Sequence, residues 1–362
     1  MPDYFISEIT SSDTYGNRAV DALLQKEGIR RDSSLDYTCG IYDQEMKLIA
    51  TGSCFSNTLR CMAVSSEHQG EGLMNQIVSH LVSTQVERGN THIFLYTKCE
   101  SARFFQDLGF YEIVRINEQI VFMENRRTGF RDYLTKLQKE TLSSPVMKNQ
   151  GQASPSHTSR TAALVMNANP FTLGHQYLAE KASRENDVVH LFMVSEDSSL
   201  IPFSVRKRLI MEGTAHLSNI VYHESGPYII SSATFPSYFQ KDSNAVMESH
   251  ARLDLSVFTK IAEKLSINCR YVGQEPTSQV TDIYNQIMKN KLPEHGIECI
   301  ILPRREAHGQ IISASSVRQA LKDGNDALLK EFLPETTLNF FKSQEASEII
   351  KRISACDNVI HH

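Results

Sequence analysis

Between residues 166 and 175 the chain reads M-N-A-N-P-F-T-L-G-H, a set of residue types suited to holding a phosphate-bearing ligand. Gly174 and the small residues before it let a backbone pack closely against a bound group. Pro170 stiffens the turn. His175 opens a helix-like run, H-Q-Y-L-A-E-K-A, where its ring can donate to an α-phosphate oxygen as that phosphorus becomes five-coordinate. The helix N-terminus adds its positive end. An ordinary strand-to-helix turn would use the same glycine and proline, so the stretch decides nothing alone.

A second stretch lies far downstream: I312-S313-A314-S315-S316-V317-R318. Here Ser315 and Ser316 are expected to cap a helix whose open amides face anionic oxygens, and Arg318, one turn in, can meet negative charge. The bland alternative is a plain N-cap with a solvated arginine. Two such junctions, in this order within one alternating domain, argue against coincidence. Between them, I-P-F-S-V-R-K-R-L-I-M resembles the middle helix of nucleotidyltransferases, which implies Arg206, Lys207 and Arg208 close to a triphosphate or substrate side, although a basic helix start is more often a solvated face. Y-V-G-Q-E-P-T-S-Q-V resembles the adenine-side loop of the same superfamily, which implies Gly273 near the base. A third turn, A-V-S-S-E-H-Q-G-E-G-L-M, ends a strand on Gln69, Gly70 and Gly72, whose amides can hold a pyrophosphate.

These turns need elements to carry them. In the first part, G-I-Y-D and K-L-I-A-T-G-S-C-F form a hairpin and L-R-C-M-A-V a further strand. A helix follows over 70–88, then the strand H-I-F-L-Y-T, a short helix A-R-F-F-Q-D-L stopped at Gly109, and F-Y-E-I-V-R-I in strand. In the second part, strands over 162–166, 188–194, 220–223, 269–272 and 299–302 alternate with helices over 174–186, 204–215, 255–265, 280–288 and 315–321. Such alternation implies a parallel sheet covered on both faces, with ligands beyond the carboxyl ends of its strands. From 131 to 160 a charged helix-like piece gives way to S-S-P-V-M-K-N-Q-G-Q-A-S-P-S-H-T-S-R, which reads as a flexible linker.

Composition narrows the classes. Hydrophobic residues make up 41% and charged residues 22% of 362, and the net charge is −5, so neither nucleic acid nor a membrane is the expected partner. No apolar run reaches the roughly 18 residues of a membrane span. The opening M-P-D-Y-F-I-S-E-I-T lacks the basic n-region of a secretion signal. Seven cysteines without C-x-x-C spacing suggest structural thiols in a reducing cytoplasm and no metal site. His361-His362 carries no assignment.

The Q-G-E-G-L-M turn resembles the pyrophosphate loop of GCN5-related N-acetyltransferases (GNAT), Q/R-x-x-G-x-G/A. Gln69 and Gly72 match, while Met74 stands where that family has Gly or Ala. S-A-R-F-F-Q-D-L-G-F-Y-E is similar to its later segment, A-x-x-F-Y-x-x-x-G-F. The resemblance implies a GNAT-like α+β domain over 1–130. It also implies a CoA-like arm at Gln69, Gly70 and Gly72, with Glu67, His68 and Tyr111 as catalytic candidates by type only.

T-x-G-H and I-S-A-S-S-V-R resemble the H-x-G-H and I-S-S/T-x-x-x-R motifs of the nucleotidyltransferase superfamily. They imply a Rossmann-like parallel α/β nucleotidyltransferase domain over 161–345. Its catalytic residues would be His175, Thr172 and Arg318. Its ATP-binding residues would be Asn167, Ala168, Asn169, Pro170, Phe171, Gly174, Gly273, Ser313, Ser315 and Ser316.

Together, V-M-N-A-N-P-F-T-L-G-H-Q-Y-L, V-G-Q-E-P-T-S-Q-V-T-x-x-Y-N and I-S-A-S-S-V-R-Q resemble the citrate lyase ligase family over nearly the whole chain. That resemblance implies activation of acetate by ATP to acetyl adenylate. The acetyl group would then pass to the thiol of a CoA-like prosthetic arm on the citrate lyase acyl carrier protein. Mg2+ would accompany the triphosphate, held mostly by phosphates and water. Two other classes remain open: a CoA-dependent N-acetyltransferase with an appended nucleotide-binding module, and a nucleotidyltransferase making a dinucleotide or a CoA precursor.

Overall fold

The computed structural model describes residues 4–32, 34–116, 120–150, 159–235, 244–274 and 278–356. The chain divides into two compact units, Met1–Phe130 and Arg131–His362.

The first unit contains β1 (Phe5–Glu8), α1 (Thr14–Lys26), β2 (Tyr37–Tyr42), β3 (Leu48–Phe55), β4 (Thr58–Val64), α2 (Leu73–Glu87), β5 (Phe94–Lys98), α3 (Ala102–Asp107), β6 (Tyr111–Ile116) and β7 (Ile120–Glu124). Its seven strands form one sheet in the order β1-β2-β3-β4-β5-β7-β6. Every pairing is antiparallel except β4 with β5, which runs parallel and is registered only at Thr58 with Phe94 and Leu59 with Leu95. Beyond those two pairs the strands diverge. α2 lays Leu73, Ile77, Val78 and Leu81 on the core that holds Ile49, Leu59 and Leu95. This α+β unit agrees with the expected fold class. The sequence reading did not anticipate β1, α1 or β7.

The second unit opens with α4 (Gly129–Ser143), which begins at the boundary, and α5 (Pro145–Gln150). There follow β8 (Thr161–Met166), α6 (Leu173–Glu185), β9 (Val188–Met193), α7 (Phe203–Gly213), β10 (Ile220–Glu224) and α8 (Asn244–Leu265). Then come β11 (Cys269–Gly273), α9 (Gln279–Lys291), β12 (Glu298–Leu302), a small hairpin of β13 (Glu306–Ala307) and β14 (Gln310–Ile311), and α10 (Ala314–Asp323). Three more helices close the unit: α11 (Asp326–Phe332), α12 (Glu335–Lys342) and α13 (Ser347–Ala355).

All five main strands are parallel, in the order β10-β9-β8-β11-β12. Side chains alternate between the sheet's two faces. Leu164, Leu191 and Tyr271 enter the core shared with α6, α7 and α10 to α13. On the opposite face Arg270 lies over Phe258 of α8 and beside Tyr284 of α9. The chain winds one way from β8 to β10 and then restarts at β11 on the other side of β8. The crevice outside the carboxyl ends of β8 and β11 is therefore the topological switch point, where open α/β sheets bind ligands.

Three boundaries differ from the sequence reading. The helix-like piece after residue 131 is α4, as expected, but helix resumes as α5 inside the expected linker, and both pack within the second unit: Tyr133 Oη donates to the Glu224 carbonyl at 3.0 Å, and Val146 of α5 is buried with Val188 and Val221. Residues 151–158 of the expected linker lie outside the described residues. α8 starts at Asn244 rather than Leu255. The core also continues past residue 345, because Ile349 and Ile353 of α13 pack into it. Among the described residues no helix is long and apolar enough to cross a membrane.

Candidate active site

The loop leaving β8 is held from beneath by a buried arginine. Arg206 of α7 is 1% exposed. Its Nε donates to the Ile201 carbonyl at 2.9 Å. Nη1 donates to Asn167 O at 2.9 Å, Asn167 Oδ1 at 2.7 Å and Val194 O at 2.8 Å, and Nη2 to Glu196 O at 2.6 Å. One guanidinium thus ties together the chain leaving β8 and the chain leaving β9. The expectation that Arg206, Lys207 and Arg208 face a triphosphate is corrected. Arg206 is committed to carbonyls, Lys207 pairs with Glu224 at 2.7 Å, and Arg208 pairs with Glu345 at 2.9 Å. Asn167 and Asn169 are likewise engaged: Asn167 Nδ2 donates to Ser199 Oγ at 3.1 Å, and Asn169 Oδ1 accepts from the Ile201 amide at 3.2 Å. Ala168, 2% exposed, takes a left-handed φ of 47°, and the Asn169–Pro170 peptide is cis.

α6 begins on a reciprocal cap. Thr172 is the N-cap; its amide donates to His175 Nδ1 at 3.1 Å, and its Oγ1 lies 2.9 Å from that nitrogen and accepts from the His175 amide at 3.4 Å. A backbone N–H can only donate, so Nδ1 is the acceptor and the ring proton sits on Nε2. Burial of the ring, helped by the positive charge of Arg304, pushes the His175 imidazole down to about 3. His175 is therefore a neutral donor throughout the physiological range. The ring stacks on Phe171 at a centroid distance of 5.7 Å. Phe171 is fully buried against Gly213, where an added Cβ would stand 2.3 Å from its Cε1.

The distant motif arrives at the same place. A Cβ on Gly174 would lie 3.3 Å from the Ile312 carbonyl oxygen, so the start of α6 and the approach to α10 are in close contact. The cap of α10 is Ser313, which accepts from the Ser316 amide at 3.0 Å. This corrects the assignment of the cap to Ser315 and Ser316, which instead lie in the first helical turn. Arg318 is 3% exposed. Its Nη1 donates to the Asn169 carbonyl at 2.5 Å and its Nη2 to Ser315 Oγ at 3.3 Å. Across the crevice, Gly273 ends β11, and a Cβ there would meet nothing within 4 Å. Glu275, Pro276 and Thr277 of the expected adenine-side loop lie outside the described residues.

The structure thus gathers Asn169, Phe171, Thr172, Gly174, His175, Ser315 and Arg318 at one sheet edge. The sequence reading did not single out Arg206 as a clamp or Arg304 as a neighbour of His175. Both answer to tertiary contacts, and no local spacing announces them.

Gln69, Gly70 and Gly72 stand apart, in the first unit. There the diverging β4 and β5 open a cavity of about 780 Å3, lined by Met62, Val64, Tyr96, Gln69, Gly72 and Met74 among others. Gly70 and Gly72 have φ of 86° and 77°, with open space where a Cβ would go. Met74, in the place of the smaller family residue, packs against the core and also lines the cavity. Of the groups named by type, Glu67 bonds Lys26 at 2.8 Å and Lys47 at 3.2 Å, and these bonds hold its carboxyl down at about 2. His68 lines the cavity and sits 3.1 Å from Glu71, while Tyr111 is 37% exposed on β6. Burial pushes the Cys39, Cys54 and Cys61 thiols up to about 12, 11 and 11, as befits inert packing groups.

Comparison with known proteins bears on both units. The family model described as citrate lyase ligase C-terminal domain matches residues 161–341. The citrate (pro-3S)-lyase ligase of Haemophilus influenzae is 36% identical over 89% of this chain and 94% of its own length. That of Klebsiella pneumoniae is 33% identical over 91% and 94%. Among solved structures, a GNAT-family acetyltransferase from Staphylococcus aureus shares 15% identity over 34% of this chain and all of its own, with a TM-score of 0.28. A GNAT-family N-acetyltransferase from Escherichia coli in complex with CoA shares 16% identity over 35% and 84%, also with a TM-score of 0.28.

Proposed function

The chain belongs to the citrate lyase ligase family, and on that premise we propose that the crevice at the β8–β11 switch point makes acetyl adenylate from ATP and acetate. Membership makes the protein a ligase that acetylates citrate lyase at the expense of ATP. The observation that carries the reading is the neutral His175, which keeps its proton on Nε2 at the first turn of α6.

The chemistry asks for little acid–base work, since acetate is already ionised near pH 7. One carboxylate oxygen attacks the α-phosphorus, the bond to the bridging oxygen breaks, and pyrophosphate leaves with the electron pair. His175 Nε2–H donates to an α-phosphate oxygen as negative charge builds there. Thr172 fixes the imidazole's tautomer. Asn167, Ala168, Asn169, Pro170 and Phe171 shape the loop, and Gly174 admits the nucleotide. Gly273 leaves room beside the base. The first turn of α10, at Ser315 and Ser316, turns the positive end of that helix toward the outer phosphates, the Ser316 amide itself being held by the Ser313 cap. Arg318 keeps the Asn169 turn and Ser315 in register. Among the described residues no group of three His, Cys, Asp or Glu could hold a metal, so Mg2+ would enter with the triphosphate, on phosphate oxygens and water.

In the second half-reaction the thiol of the carrier protein's CoA-like arm attacks the acetyl carbonyl and AMP departs. The cavity of the first unit, with Gln69, Gly70 and Gly72 at its helix start, is the proposed dock for that arm. The whole sequence suits the cytoplasm, where the thiols stay reduced.

The deciding assay follows pyrophosphate release from ATP while acetate and the thiol-form carrier protein are added in turn. Release should need acetate and should become a sustained turnover once the carrier is present. Release with a phosphorylated co-substrate in place of acetate would instead identify a nucleotidyltransferase. For the dock, Val64→Trp should fill the cavity and raise KM for the carrier protein while leaving acetate-dependent exchange intact. An unchanged KM removes the cavity from the account.

A further inference from the structure

On the α8 side of the five-stranded sheet, two successive rows of side chains differ in cover. The lower row holds His190, Ala163 and Arg270, each no more than 1% exposed, with Ala163 paired to both neighbours. Phe258 of α8 and Tyr284 of α9 lie against Arg270. Two residues further along each strand, on the same face, stand Phe192, Val165 and Val272. Phe192 is fully buried and pairs with Val165, but Val165 and Val272 are only half-buried. Every other residue of β8 is buried. The core on the far side of the sheet, which takes in Leu164 and Tyr271, includes neither valine. The cover given by α8 and α9 therefore stops one row short of the carboxyl edge, at the switch point.

The row beneath leaves positive charge unanswered. Arg270 Nη2 donates to Tyr284 Oη at 3.3 Å, while Nε and Nη1 are buried and have no hydrogen-bond partner among the described residues. Asp254 is reached only through Tyr284, which donates to its Oδ2. Its Oδ1 accepts from the Ile230 amide at 2.6 Å and from Thr234 Oγ1 at 3.0 Å, so its charge is shared among neutral donors.

The recess thus joins an apolar wall to a positive field that acts strongly away from water. Phe192 closes its inner end beside Val165. Its outer end runs past Val272 to Gly273, where an added Cβ would meet nothing within 4 Å. A nucleoside needs the open end. The closed end suits a small anion with a short apolar tail.

We infer that Val165 and Val272 seat the methyl group of acetate, with Val165 setting the length of acid the site accepts and Arg270 drawing the carboxylate into the recess. The inference rests on the proposed adenylate chemistry, and it can fail separately from it.

The test is ATP–pyrophosphate exchange on the full-length protein with acetate or propionate as the acid. Val165→Ala should raise the ratio of kcat/KM for propionate to that for acetate about tenfold or more, the worth of one methylene in an apolar pocket. Val165→Thr keeps the volume but puts a hydroxyl on the seat, so KM for acetate should rise while KM for ATP and the melting temperature hold. Arg270→Met should raise KM for both acids alike and leave their ratio where it was. A purely structural role for Val165 would move both acids together. A ratio unmoved in Val165→Ala, or an acetate KM unmoved in Val165→Thr, overturns the seat. Wild-type exchange that does not need acetate removes the adenylate reading and the inference with it.

Discussion

The turn between β4 and α2 in the first unit and the turn between β8 and α6 in the second both start a helix beside a glycine, and each was read from sequence as a phosphate cradle. They are built on different principles. In the first, Gly70 and Gly72 take left-handed φ, nothing crowds their Cβ positions, and α2 has no side-chain cap. Its donors are bare amides at the mouth of a cavity. In the second, Thr172 and His175 cap one another, Phe171 is wedged against Gly213, and Gly174 is pressed on Ile312. A loose backbone cradle suits reversible docking of a long flexible arm. A packed turn with one oriented proton suits stabilising a charge that exists only in passing.

The contrast can be broken most sharply at His175. His175→Ala should lower acetate-dependent ATP–pyrophosphate exchange by a factor of about 10² to 10³, the usual result of removing one preorganised donor, with the melting temperature nearly unchanged. A loss of less than about tenfold would make the two turns alike after all.

Next in size is Gly213→Ala. Its new methyl would collide with the Phe171 ring at 2.3 Å, and such overpacking typically costs about 1–3 kcal/mol. Denaturant unfolding should register that cost, and exchange should fall with it, since Phe171 supports the His175 ring.

Gly72→Ala probes the other side. It forces alanine to φ near 77° in open space, at about 1 kcal/mol. The change should weaken carrier-protein binding and leave exchange untouched. Impaired exchange would erase the division of labour.

The smallest effect concerns pH. With its imidazole pushed down to about 3, His175 should add no inflection to the exchange rate between about pH 5 and 8. Stability should behave differently. His190, 1% exposed and pushed down to about 3 by burial and then by His223, binds a proton only once the chain unfolds. Its contribution is therefore present above the unfolded pKa of about 6.5 and is lost as pH falls from there toward 3, at up to about 1.4 kcal/mol per pH unit. Urea unfolding across that range should show the decline, and His190→Phe should make it shallower, with His175, pushed down to about 3 as well, supplying the remaining slope.

What the sequence disclosed follows from how local each signal is. The five parallel strands are short, mostly apolar runs, most deeply buried in β8 and β9 at the middle of the sheet, and each of them, like the T-x-G-H turn, was legible directly. α11 to α13 were not, because each is short and its apolar residues make sense only against the completed core. The α10 cap was misplaced because the three serines of S-A-S-S compete for one role, and only the Ser313 Oγ bond to the Ser316 amide separates them. Arg206 and Arg304 carry the same charge in sequence. Which lies buried beneath the loop and which follows β12 with its Nε on the Gln274 carbonyl depends on strand order, and strand order is not a local property. The α4 segment was legible as a helix, whereas α5 was read as linker because its docking partners, Val188 and Val221, lie far along the chain.

The central claim is that the packed turn after β8 activates acetate. It is tested most directly by isotopic ATP–pyrophosphate exchange on the full-length protein, with carrier protein left out and acetate as the only variable. The account predicts exchange that appears with acetate, vanishes without it and is lost in His175→Ala. Exchange that ignores acetate, or that survives the loss of the histidine, would contradict it.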